Sequence, residues 1–237
     1  MAKSPPSTKW PWLRRDSKRI ASGFARVLLY EFDALEEHRE FADSSLRQRV
    51  KSLESRVNKM IQGMTEEQRD EYYDHVYDEH INVTETLPQM QWYAQFLIVY
   101  STFEHTLHEL CRIVERRSGF NLSFKDLDGQ GINRARNYLV KLAGVNAPFQ
   151  SAAWNRALLL ADVRNAIAHR NGEIEFSPKA AKSLSARLAK EQHIKLKQIA
   201  PDDDTARIVL DGEFVQQSIV ELRKVLVDIC NYELYES

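Results

Sequence analysis

The stretch 88–117 carries a single apolar stripe, and it constrains the fold of this chain more than any other feature. The stripe consists of Trp92, Phe96, Val99, Phe103, Leu107, Leu110 and Val114. Because these residues recur every three or four positions, they predict one amphipathic helix, roughly 40 Å long at ~1.5 Å per residue. Pro88 fits the first turn of this helix, where a missing N–H costs nothing.

The scarcity of helix-breaking residues extends this prediction to the rest of the chain. Only 8 glycines and 7 prolines occur among 237 residues, so we predict an all-α fold. Thr65 and Gln68 have the spacing of a capping box at a helix start, and Asn171-Gly172 is a typical helix end. The predicted helices cover about 16–63, 65–81, 88–117, 132–142, 149–170, 177–190 and a last segment after residue 212.

One segment departs from helical spacing. Residues 194–199 and 206–210 alternate apolar and polar side chains on either side of turn residues, which predicts a small β-hairpin near the C-terminus. The predicted organisation is a flexible basic tail over 1–15, an N-terminal helical extension over 16–87 and a helical domain over 88–237. Trp10 and Trp12 in the tail are expected to pack loosely on the domain or to dock on a partner.

Composition favours a cytoplasmic protein. The first residues lack the apolar region of a secretory signal, and no apolar run approaches the ~20 residues that span a membrane. Cys111 and Cys230 fall at apolar helix positions far apart in sequence, as reduced core cysteines do. Lys+Arg (33) and Asp+Glu (34) nearly cancel, so RNA binding would depend on a local basic patch and not on bulk charge.

The candidate chemistry lies at the end of the helix predicted over 149–170. Arg164, Asn165, His169, Arg170 and Asn171 are set there among apolar neighbours. Asn165 and His169 are four apart and share a helix face. An imidazole near neutral pKa can move the proton of a ribose 2′-hydroxyl. A guanidinium can bind the phosphate and stabilise the charge of the transition state. This set suits phosphodiester cleavage without a metal.

One copy of the chain supplies a single histidine, whereas concerted acid–base catalysis uses two. A two-fold dimer that pairs these helix ends would provide the second. The alternative is structural: Arg164 and His169 are cations near a helix C-terminus, where they are favoured by the helix dipole.

The sequence Arg164-Asn165-x-x-x-His169 resembles the motif of the HEPN (higher eukaryotes and prokaryotes nucleotide-binding) superfamily, in which an arginine and a polar residue precede a histidine. The helix around Tyr100–Leu110 resembles its long first core helix. The resemblance covers roughly 88–235. It implies a HEPN-like helical bundle, a homodimer formed through the motif helix, and a metal-independent endoribonuclease that leaves a 2′,3′-cyclic phosphate. Such proteins often act as toxins or in phage defence, which makes an antitoxin or regulatory partner an expectation.

Further roles follow from this resemblance. Arg164 would bind the scissile phosphate, His169 would act as general acid or base, and Asn165 would orient them. Glu104 and Asp162 would support Arg164. Arg170, with Asn171, would add RNA contacts at the rim.

No cofactor and no metal site are expected. His105 and His108 are three apart, but no third ligand of suitable spacing follows. Two alternatives to the enzyme remain open. One is a non-catalytic HEPN-like dimer that binds RNA or nucleotide, or has a regulatory role. The other is a structural adaptor that uses its N-terminal helices.

Overall fold

The computed structural model of the chain describes residues 11–118, 123–177, 179–200 and 204–235, and side chains from residue 30 to residue 116 and from 123 to 231 within these ranges. Trp10 and the apolar positions Ile20, Phe24, Val27 and Leu28, on which the first helix was predicted, lie outside the described residues or side chains. The fold is mostly helical with a small antiparallel sheet near the C-terminus, as predicted.

Seven α-helices and three strands are described. The helices are α1 Pro11–Met60, α2 Glu66–Ile81, α3 Leu87–Ser118, α4 Gly131–Ala143, α5 Ala152–Arg170, α6 Leu184–Leu188 and α7 Gly212–Tyr235. The strands are β1 Glu173–Glu175, β2 Ile194–Gln198 and β3 Thr205–Leu210. Short 3₁₀ turns occupy Phe124–Asp126 and Ala147–Gln150. Helix α1 begins at Pro11, inside the segment predicted as a tail. None of these helices combines the length and apolarity needed to cross a membrane.

The start of α2 confirms the predicted capping box. The Thr65 hydroxyl accepts from the Gln68 backbone N–H at 3.4 Å, and the Gln68 side chain accepts from the Thr65 N–H at 3.0 Å. The two bonds satisfy backbone donors that a helix start leaves unpaired. Along the helix, an ion pair joins Arg56 of α1 to Glu79, and no residue of α2 is buried.

Helices α2 and α3 are joined without a break, which differs from the separate helices predicted on either side of residues 81–88. Residues Asn82–Thr86 form a π-helical turn. Pro88 has no N–H for the carbonyl four residues before it, and its ring crowds that carbonyl. The wider turn accommodates the proline: the Leu87 N–H bonds to Asn82 O, and the Thr84 hydroxyl donates to His80 O at 2.8 Å.

The chain divides into two compact units. Unit 1 consists of Met1–Asp33, Tyr100–Leu159 and Val220–Ser237, and unit 2 of Ala34–Val99 and Leu160–Ile219. In unit 1, Phe149 and Trp154 stack edge to face with centroids 4.7 Å apart. In unit 2, the rings of Phe96 and Phe214 are 5.4 Å apart. Neither unit begins at residue 88, and the division into 1–15, 16–87 and 88–237 stays a prediction.

Unit 2 contains the sheet, whose strand order is β1-β3-β2. The predicted hairpin is confirmed as β2 and β3, with Ile194 opposite Leu210 and Gln198 opposite Ala206. Strand β1 was not predicted. It follows α5 directly and pairs with the other edge of β3, with Ile174 opposite Ala206.

The helix predicted over 177–190 is wrong. Of the described residues in this range, only Leu184–Leu188 are helical, and Ser183 is the N-cap. The Ser183 hydroxyl accepts from Ala186 N and donates to Ser177 O at 2.7 Å, while the Ser185 hydroxyl accepts from Ser177 N at 2.9 Å. Serine hydroxyls that bond to nearby backbone compete with a helix, and here they fold the segment into a turn.

Candidate active site

The end of α5 places the predicted motif on an exposed surface. Val163, Ala166 and Ile167 are buried on one side of the helix, whereas Asn165 and His169 are exposed on the other. The helix ends as predicted at Asn171 and Gly172. Both have left-handed backbone conformations (φ 52° and 80°), and Gly172 N donates to Ala166 O at 3.0 Å. Arg170 and Asn171 are also exposed.

Arg164 and Asn165 are in direct contact. Arg164 Nη1 donates to Asn165 Oδ1 at 2.9 Å, which fixes part of the guanidinium, and Arg164 is half-buried. The amide thus orients the arginine. The imidazole of His169 makes no hydrogen bond to any residue that the structure describes. It lies one turn beyond Asn165 and is open to solvent. The arrangement offers a positioned cation and an accessible acid or base on neighbouring turns.

The backbone just after the motif is anchored to β3 and α3. The Gly172 carbonyl accepts from Ile208 N at 2.9 Å. The Ile208 carbonyl accepts from the Tyr93 hydroxyl and from Gln89 Nε2, the latter at 3.0 Å. A Cβ on Gly172 would overlap the Tyr93 hydroxyl and lie 2.7 Å from its Cζ atom. Glycine is therefore required here both for its positive φ and for the close approach of the ring.

Burial extends the pH range over which the Tyr93 hydroxyl stays protonated. Its side chain is 8% exposed, and desolvation raises the pKa of its hydroxyl to about 12. A tyrosine hydroxyl with its ordinary pKa already keeps its proton at neutral pH, and the raised pKa keeps this one a donor to the Ile208 carbonyl at more alkaline pH as well. This bond joins α3 to the strand that holds the end of the motif helix.

Asp162 is held by a residue of α6. Its carboxylate accepts from Arg187 Nη2. Both side chains are partly exposed. The pair attaches α6 to the motif helix about two turns before His169. That Asp162 supports Arg164 stays a prediction.

Glu104 belongs to unit 1, where it lies against the start of α4. Its Oε1 atom lies 2.7 Å from the point where a Cβ on Gly131 would be. A carboxylate is favoured at a helix N-terminus, where unpaired N–H groups carry partial positive charge. Glu104 is half-buried, and its predicted support of Arg164 stays a prediction.

Outside the motif, three further residues with reactive side chains, His108, Cys111 and Cys230, are packed within the fold. His108 stacks on Phe124 with centroids 5.0 Å apart. Among the described residues, no group of three or more His, Cys, Asp or Glu could hold a metal ion. Cys111 and Cys230 are free thiols, and burial raises the pKa of both, that of Cys230 to about 12. They remain protonated and unreactive at neutral pH.

Several residues around the site were missed by sequence reasoning. Gln89 and Tyr93 are four apart on α3, and their polar ends meet a strand more than a hundred residues away. No local pattern indicates such a pairing. Arg187 lies in the helix predicted over 177–190, and no role was predicted for it; in the structure it forms an ion pair with Asp162. The conformation of Gly172 was indicated by the sequence, because Asn-Gly after an apolar helix favours left-handed backbone. Nothing in the sequence indicated its contact with Tyr93.

Comparison of the chain with protein-family models, with curated proteins and with solved structures finds no match.

Proposed function

We propose that this protein is a metal-independent endoribonuclease of the HEPN type, acting on single-stranded RNA. The observation that carries the proposal is the pairing, on one exposed helix end, of an arginine oriented by Asn165 with the solvent-accessible imidazole of His169. Guanidinium and imidazole are the groups that phosphate binding and proton transfer at neutral pH use.

The reaction is an internal displacement at phosphorus. The ribose 2′-oxygen forms a bond to the adjacent phosphorus while the bond to the 5′-oxygen of the next nucleotide breaks. The products are a 2′,3′-cyclic phosphate and a free 5′-hydroxyl. A neutral imidazole accepts the 2′-proton, and an imidazolium donates a proton to the departing 5′-oxygen. Arg164 binds the non-bridging phosphate oxygens and stabilises their growing charge. Arg170 and Asn171 contact the sugar-phosphate backbone of the RNA at the rim of the proposed site.

Acid and base act at the same time in this scheme, and each chain contributes one motif histidine. The proposed assembly is a homodimer related by a two-fold axis through the motif helix, so that each copy supplies one imidazole. The accessible surface of Asn165 and His169 supports this arrangement. The biological role that the resemblance implies is that of a toxin or phage-defence effector in the cytoplasm, restrained by an antitoxin or regulatory partner.

The test is incubation of purified protein with total cellular RNA in EDTA, comparing the wild type with His169→Ala. Loss of a general acid or base is expected to lower cleavage about 10²- to 10⁴-fold. The matched control is His75→Ala, which removes another exposed histidine, on α2, and should cleave as the wild type does. Cleavage products should carry cyclic phosphate ends.

The alternative is a non-catalytic dimer that binds RNA or nucleotide. It gains support from the imidazole itself, since no described residue hydrogen-bonds to His169 to fix its orientation. RNA binding by a folded dimer without cleavage, in the wild type and in His169→Ala alike, would establish this alternative. Unfolding of the His169→Ala variant would instead assign the histidine a role in ending the helix.

A further inference from the structure

The segment 179–191, between β1 and β2, carries an excess of positive charge beside the motif helix. It contains Lys179, Lys182, Arg187 and Lys190 against the single carboxylate of Glu191. We call residues 179–191 the lysine segment. Because the net charge of the whole chain is only −1, RNA binding needs a local basic patch of this kind.

The lysine segment is folded and fixed in place. Serine hydroxyls close its turn: Ser183 Oγ donates to Ser177 O at 2.7 Å, and Ser185, fully buried, accepts from Ser177 N at 2.9 Å. Leu188 is also fully buried, and α6 contacts both β1 and β2. A segment held by a buried side chain and by its own hydroxyls loses little backbone conformational freedom on binding.

The attachment of the segment is on the motif side of α5. Arg187 bonds to Asp162, which is seven residues before His169. Seven residues correspond to about 700° of rotation at ~100° per residue, so Asp162 and His169 share a face of the helix. They are ~10.5 Å apart along its axis. A short single strand whose scissile phosphate lies at His169 can therefore extend along this face toward the lysine segment.

Glu191 is the one carboxylate in the sequence of the segment against the positive charges that remain on it. Arg187 and Asp162 neutralise each other, whereas Lys179, Lys182 and Lys190 are exposed and make no ion pair with any residue that the structure describes. Of the two carboxylates on β1, Glu173 pairs with Arg207, and Glu175 accepts from the Ser177 hydroxyl. Three ammonium groups are thus available to an anionic ligand.

We propose that the lysine segment binds the phosphates of single-stranded RNA flanking the cleaved bond. This inference rests on the proposed function, because the motif decides which polyanion is bound. Ammonium groups on flexible stems act as point charges, so they attract phosphates without reading bases. The segment would contribute affinity and register along the strand, and it would leave sequence selection to other contacts.

The test uses a fluorescent single-stranded oligoribonucleotide with 2′-O-methyl groups at every position, which lacks the attacking hydroxyl and so reports binding alone. Binding is measured by anisotropy over a range of salt concentrations for the wild type and for Lys179→Gln/Lys182→Gln/Lys190→Gln. For single strands the logarithmic salt slope is about −0.7 per phosphate contact, so loss of three contacts should reduce it by about 2. Affinity at low salt should fall by about tenfold or more.

The matched control removes the same charge elsewhere. It replaces by glutamine three lysines that are likewise exposed and without an ion pair to a described residue: Lys125, Lys141 and Lys224. Its salt slope should stay within error of the wild type. Thermal unfolding of both triple variants should match the wild type, because only exposed side chains change.

The outcomes separate this inference from the proposed function. If the wild type binds and cleaves RNA but the lysine-segment variant keeps the wild-type slope, the inference is overturned and the nuclease stands. If the wild type binds without cleaving and the variant loses affinity, the lysine segment is supported and the nuclease is not. Equal losses in the test and control variants would mean that bulk charge governs binding, and the inference would fail. No binding of the oligonucleotide by the wild type would overturn the inference, and the cleavage assay in EDTA would then decide the nuclease separately.

Discussion

Replacing Gly172 by alanine tests whether the end of the motif helix is fixed by its contact with Tyr93. The added Cβ meets two obstacles. The backbone has φ 80°, a conformation that costs an L-residue roughly 1–2 kcal/mol. The methyl group also overlaps the Tyr93 hydroxyl and would lie 2.7 Å from Cζ, so the ring must move away from the Ile208 carbonyl. Removing one partner of a buried hydrogen bond costs about 1–3 kcal/mol.

The two contributions sum to about 2–5 kcal/mol of unfolding free energy. The lower half of this range is expected, because Gln89 Nε2 still donates to the Ile208 carbonyl at 3.0 Å. Denaturant unfolding followed by circular dichroism measures the loss. The displaced ring should also disturb the attachment of the motif, so we expect RNA cleavage to fall in a variant that is still folded at the assay temperature.

Gly144→Ala is the matched control. Gly144 ends α4 with φ 75°, nearly the same backbone conformation, but a Cβ there meets nothing within 4 Å. It should cost only the conformational part, roughly 1–2 kcal/mol. The difference between the two variants isolates the contact with Tyr93. If Gly172→Ala is no more destabilising than Gly144→Ala, the ring does not fix the helix end and the reasoning fails.

Two further predictions concern stability. The pKa of Tyr93 is about 12 in the folded chain against an ordinary value of 10.0. The contribution of the protonated Tyr93 hydroxyl to the free energy of unfolding is therefore fully present below pH 10 and is lost as pH rises toward 12. In denaturant titrations, the stability difference between the wild type and Tyr93→Phe should shrink over this pH range. The control, Tyr73→Phe at an exposed position, should show no such trend. A Tyr93→Phe difference that stays constant with pH would contradict the burial effect. Thr65→Ala removes the acceptor for the Gln68 N–H and should lower the free energy of unfolding by about 1 kcal/mol. The backbone amides of α2 should then exchange faster in hydrogen-exchange mass spectrometry. Unchanged exchange would mean that the cap is not needed.

The parts of the fold that were predicted correctly depend on local signals. The capping box at Thr65 needs only residues three apart, the hairpin of β2 and β3 needs alternation around a turn, and the end of α5 needs glycine after an apolar helix. In each case, the residues that cause the structure are close together in sequence. That Asn165 and His169 lie on the same helix face was also predicted, because they are four residues apart.

The predictions that were wrong or missing have both distant and local causes. Strand β1 has three residues, and it exists because Ile174 pairs with Ala206. Hydrogen bonds of the Ser183 and Ser185 hydroxyls form a turn where a helix was expected over 177–190. The spacing of apolar residues does not indicate these bonds. At Pro88, sequence reasoning identified the missing N–H but not the π-helical turn that keeps the chain helical. Strand β1 thus depends on a partner distant in sequence, whereas the serine turn and the π-helical turn arise from bonds between nearby residues.

The bond between the Gly172 carbonyl and Ile208 N has a consequence for the order of events during synthesis. The chain is made from its N-terminus at about 5–20 residues per second. The strand that secures the end of the motif helix is therefore completed roughly two to eight seconds after the motif itself. A newly made motif accordingly spends an interval without its anchor, and the proposed nuclease would have no anchored site until the β3 strand has been translated.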